Sequence, residues 1–135
     1  MKTSLHIVLI LALILGLTSS VLAGATPDRR APKFLPNREL IEKNLIIAIN
    51  SDNIGLQTSA AGMLGDIQCE QAVMPLMRIL KNSESERARM AAAIALYKIA
   101  DARGIFTIKQ AIRFDDSEKV RKVCTQLYSL ALSDK

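Results

Sequence analysis

The only histidine in the chain is His6, and it lies in a leader-like run, residues 1–25, at the start. A chain that sheds this run keeps no imidazole, the commonest general base and metal ligand. Ser–His–Asp and Cys–His nucleophilic catalysis then fail on composition. The two cysteines, Cys69 and Cys124, have no partner at zinc-ligand spacing, and no glycine-rich phosphate loop is present. Asp115-Asp116 and the Glu84/Glu86 pair are acidic neighbours in turns. They read as solvated helix starts, favourable to the following helix dipole, rather than as a catalytic pair. The chemistry expected is therefore non-covalent binding, with no cofactor and no metal.

Two sets of side chains are candidates for such binding. Arg78 and Lys81 share one helix face, as do Lys109 and Arg113 on a later helix, and stacking those helices would gather a basic strip. Met90, Ile94 and Tyr97 fall outside the most regular core positions and offer an apolar contact patch or extra packing. With three Phe, two Tyr and no Trp, recognition of sugars or single strands by ring stacking is disfavoured.

These residues hang on a 32-residue repeat. Leu56-Gln57, Ala60-Ala61, Met63-Leu64 and Ile67 align with Ala88-Arg89, Ala92-Ala93, Ala95-Leu96 and Ile99. They align again with Val120-Arg121, Cys124-Thr125, Leu127-Tyr128 and Ala131. Upstream, Ile41/Val73/Ile105, Ile47/Ile79/Ala111 and Ala48/Leu80/Ile112 form columns that predict the core face of a first helix in each unit. Turns within units are expected at residues 50–53, 82–85 and 114–117, and between units near 68–70 and 101–104. Asn37 is the expected cap of the first helix. A period of this length, with no alternating strand pattern, marks stacked helical pairs. The fold class is all-α: a short α-solenoid of three helix-turn-helix units, about 38–68, 69–100 and 101–132.

The second helices also resemble a known family, the HEAT repeats, whose pattern reads broadly V-R-x-x-A-A-x-A-L-G. Ala88-Arg89-x-x-Ala92-Ala93-x-Ala95-Leu96 follows it closely and Val120-Arg121-x-x-Cys124-Thr125 more loosely. Leu64-Gly65-Asp66-Ile67 matches its tail, and Pro75 its first-helix proline. The resemblance implies an armadillo-like superhelix and a scaffold for protein partners. It also implies a polar ladder between units, built from an Asp six residues before the Arg. Asp115 and Arg121 keep that spacing, but Ser83 precedes Arg89 and Ser51 precedes Gln57. Some HEAT-like proteins are enzymes, bilin lyases and alkylpurine glycosylases among them, and nothing here matches their chemistry beyond the fold.

Residues 1–25 have the layout of a secretory signal: Lys2, an apolar run from Ile7 to Leu17, and small residues around Ala23 and Ala25. Cleavage predicts an exported chain, periplasmic or secreted. Retention would leave residues 5–25 as a membrane anchor, which Arg29, Arg30 and Lys33 favour by opposing export. Residues 26–36, with Pro27, Pro32 and Pro36, read as a basic linker ahead of a repeat domain at 37–135. From Glu39 onward 13 basic residues face 12 acidic ones, so the net charge of +5 and pI near 9.5 describe the tail more than the fold. No nucleic-acid partner is expected on that distribution.

The functional expectation is a non-catalytic protein-interaction or scaffold module in an exported protein, with an unidentified protein partner. The alternatives are a HEAT-like enzyme such as a lyase, or an electrostatic adaptor on anionic lipid or polymer. A solenoid end needs a polar cap. Leu45, Ile46 and Ile49 at one end, and Leu127, Tyr128, Leu130 and Leu132 at the other, predict that at least one end is covered. Phe34-Leu35, a second copy in a homodimer, or another protein would serve.

Overall fold

A computed structural model describes residues 37–134. The expected leader, the linker and Lys135 lie outside the described residues. Six α-helices follow one another: α1 (Arg38–Ile49), α2 (Ile54–Asp66), α3 (Val73–Asn82), α4 (Glu86–Ile99), α5 (Ala102–Phe114) and α6 (Glu118–Ser133). A single 3-10 turn, Glu70–Ala72, precedes α3, and no strand occurs among the described residues. Helices pair as α1/α2, α3/α4 and α5/α6. The second helices stack in the order α2, α4, α6, and α3 lies beside α5. The architecture is a short all-α solenoid of three units.

The core follows the small-residue columns. Ala60, Ala92 and Cys124 occupy equivalent positions and are all buried, as are Ala61 and Ala93. Small side chains let the second helices approach closely: a Cβ on Gly65 would stand 2.9 Å from Ala95 Cα. Around this spine Ile49, Leu64, Leu76, Leu80, Leu96 and Ile108 are fully or almost fully buried. Each such side chain contributes on the order of 1.5–3 kcal/mol by leaving water.

One turn design recurs every 32 residues. The side chain of Ser51, Ser83 or Asp115 accepts the backbone N–H of Asn53, Ser85 or Ser117, at 3.1, 3.3 and 2.8 Å. Asn53, Ser85 and Ser117 in turn accept the N–H of Leu56, Ala88 and Val120, closing the exposed amides of the second helix. Gln57 then donates back to the carbonyls of Ile49 and Ser51, and Arg89 and Arg121 to the turn carbonyls of Ser83 and Asp115. Serine thus performs the local part of aspartate's role.

Three expectations need correction. Asn37 does not cap α1 with its side chain; it takes a left-handed backbone, φ 63°. The turn expected at 101–104 is shorter, because Asp101 caps α5 and Gly104 is already helical, with Leu96 packed where a Cβ would go. Ile47, aligned with buried Ile79, is exposed. Its column faces the preceding unit, and α1 has none among the described residues.

Candidate interaction surface

The repeat exposes two ends of different chemistry. Four apolar residues of the first unit stand in columns that later units bury: Leu40 (56% exposed), Ile47 (65%), Leu56 (49%) and Met63 (52%). Their equivalents are Ala72 and Gly104, Ile79 and Ala111, Ala88 and Val120, Ala95 and Leu127, all buried or half-buried. These columns face the preceding unit. Asn44, Ser59 and the cation Lys43 stand exposed in columns that the later units likewise bury or half-bury. The sequence pattern shows this face only when the first unit is compared column by column with units that have a predecessor.

The opposite end has changed its chemistry. The column filled by half-buried Leu45 and Met77 ends in exposed Lys109. The buried Ala61/Ala93 column ends in exposed Thr125, and half-buried Tyr97 is followed by exposed Ser129. Tyr128, equivalent to buried Leu96, is half-buried beneath Lys109, whose Nζ stands 5.7 Å from the ring centroid. These substitutions make a polar cap at the α5/α6 end.

The apolar residues expected to need a cover at the two ends are mostly engaged in the units themselves, and Phe34-Leu35, one of the covers expected, lies outside the described residues. Ile49 is buried; Leu45, Ile46, Leu127 and Tyr128 pack half-buried on the core. Only Leu130 and Leu132 of that set remain large exposed apolar side chains. Arg78, Lys81, Lys109 and Arg113 are all exposed, but they turn to different neighbours. Arg78 donates to Asn50 Oδ1 at 2.7 Å, Lys109 stacks on Tyr128, and Arg113 lies over Phe114. Of the apolar trio, Met90 and Tyr97 are half-buried against the core, and Ile94 alone is exposed, at 39%. The Tyr97 hydroxyl bonds Asp134 Oδ2 at 3.0 Å.

An open groove of about 490 Å³ runs along the turns of the second and third units, lined by residues 81–84, Glu86, Arg89 and residues 114–117. Its polar groups are largely committed. Arg89 places Nε and Nη2 on both Asp115 oxygens, at 2.9 and 3.0 Å, with side chains only 12% and 5% exposed. The same Arg89 donates Nη1 to the carbonyls of Ser83 and Glu84. Among the described residues no three His, Cys, Asp or Glu side chains converge to hold a metal ion. Cys69 and Cys124 are free, buried thiols. Burial, then the Asp115 charge, pushes the Cys124 thiol up to about 11. Burial, then Glu42, raises Cys69. Neither thiol is set up as a nucleophile.

A family model for HEAT repeats matches residues 41–129. The chain belongs to the HEAT-repeat family. HEAT repeats generally mediate protein–protein contact and generally serve as non-catalytic scaffolds. No curated protein matches the chain. The HEAT ladder runs differently from the sequence spacing: Asp115 pairs across units with Arg89, while Arg121 caps the Asp115 and Asp116 carbonyls of its own turn. Among the described residues one ionic rung of this kind forms; neutral Gln57 and Ser83 stand at the equivalent positions of the first junction.

Proposed function

We propose that residues 37–134 act as a non-catalytic protein-binding module of an exported protein, and that the Leu40/Ile47/Leu56/Met63 face is its principal contact surface. The observation that carries this reading is the column comparison. These side chains are apolar and about half exposed where the later units bury theirs, whereas the other end is capped with polar groups. Contiguous exposed apolar surface of this kind is characteristic of interaction sites. The groove favours no catalytic reading, since its central cation and carboxylate neutralise one another.

Two measurements test the proposal. Affinity capture from the exported fraction with the wild-type chain and with Ile47→Glu should lose the same bound protein in the variant, at unchanged helicity. Retention of every bound protein would refute the contact surface. Export is tested by the mature N-terminus: mass spectrometry should find a start near Gly24 or Thr26. Intact Met1 on a membrane-extracted chain would instead favour the anchor at residues 5–25.

A further inference from the structure

The contacts between the second and third units are a template for what the exposed end of the third unit fits. Across that junction two charge pairs form between consecutive units. Arg89 grips the Asp115 carboxylate with two nitrogens, and Glu86 faces Lys119 at 3.8 Å. Thirty-two residues on, Arg121 and Glu118 repeat Arg89 and Glu86 in type and register. Arg121 spends Nη1 on the carbonyls of Asp115 and Asp116, as Arg89 does on Ser83 and Glu84. Its Nε and Nη2, the atoms with which Arg89 holds Asp115, have no protein acceptor among the described residues. Lys109 and Lys122 stand exposed in columns that the earlier units half-bury, so a carboxylate arriving beside Arg121 meets three cations against Glu118.

We infer that the α5/α6 end docks the helix-turn segment of a partner protein that carries an Asp in its turn and a Lys or Arg four residues later. The Asp would accept the two open Arg121 N–H groups, and the cation would meet Glu118. The occupant is not a second copy of this chain stacked head to tail. In that arrangement the first unit would offer Ser51 and Gly55 at the two positions, with neither charge. An isolated salt-bridge partner on the surface contributes little; the two-pronged fit to a fixed guanidinium, pre-aimed by its own turn, gives direction as well as charge. This inference rests on the protein-binding reading but uses the opposite face, so Ile47→Glu leaves it untouched.

The test is a displayed library of two-helix segments framed on residues 101–134, with the positions of Asp115, Lys119 and their facing neighbours randomised, selected on the full chain. Selection should return Asp or Glu at the first position and Lys or Arg at the second. Arg121→Gln should weaken the selected segments about tenfold, the scale of one charge-assisted pair. Glutamine is the apt replacement because Gln57, at the same position of the first unit, donates to the Ile49 carbonyl at 3.1 Å and to the turn carbonyl of Ser51 at 3.5 Å, and unchanged helicity of the variant is the control. No enrichment of the acid, no recovered segment, or equal binding by Arg121→Gln overturns the inference. So does Arg121-dependent binding of phosphatidylglycerol vesicles as tight as that of the segments, which would assign the end to a membrane surface.

Discussion

Gly65→Ala adds a single methyl group where α2 packs directly on the Ala95 backbone of α4. The new Cβ would stand 2.9 Å from Ala95 Cα, 3.2 Å from Ala95 Cβ and 3.3 Å from Lys98 Cδ. Carbon atoms rest at about 3.5–4.0 Å, so the helices must part by roughly half an ångström. The nearest atom is backbone in a buried helix and cannot swing aside. Overpacking of this kind costs about 1–3 kcal/mol. Gly62, one turn earlier in the same helix, supplies the control, because nothing lies within 4 Å of its Cβ position. Gly62→Ala should gain up to about 1 kcal/mol from helix propensity alone. The same gain is smaller at Gly65, which sits in the last turn of α2. The two variants should therefore differ by about 2–3 kcal/mol, or about 10 °C or more in midpoint for a domain of this size. Thermal and urea unfolding followed by circular dichroism measure the gap. Equal stability of the two alanine variants, or a Gly65→Ala chain as stable as wild type, would refute the close-packed junction.

Asp115→Asn removes the charge that Arg89 grips. It should cost about 2–3 kcal/mol, less than a fully buried pair because Arg89 keeps two carbonyl acceptors. The double variant Arg89→Gln/Asp115→Ser copies the neutral Gln57/Ser83 pair and should be more stable than Asp115→Asn in urea titrations; additive losses would contradict the pairing. Cys124 gives a pH signature. Its thiol titrates near 11 in the fold against 9.0 as an ordinary cysteine, so the folded state holds the proton more tightly. The stability this provides is complete below pH 9 and declines as pH rises toward 11, at up to about 1.4 kcal/mol per unit. Cys124→Ala, which restores the residue of the Ala60/Ala92 column, should flatten that decline, and an unchanged slope would remove Cys124 as its source.

How far the sequence reaches is clear from particular positions. The Ala60/Ala92/Cys124 column and the three internal turns were legible, because a repeated unit must bury the same face each time and so repeats its small residues. The family assignment followed from the same columns. The Arg89–Asp115 rung was not legible: the spacing links Asp115 to Arg121, six residues away, and only stacking brings the preceding unit's arginine to the carboxylate. Ile47 shows the other limit. By pattern it equals Ile79, yet one is exposed and the other buried. Helical periodicity reports which side chains share a face; whether a neighbouring unit covers that face is a fact of position in the stack. Periodicity alone fixes the unit and its count, because every unit must bury the same face. Stacking sets which end stays apolar, which turns basic, and which guanidinium keeps its outer edge open.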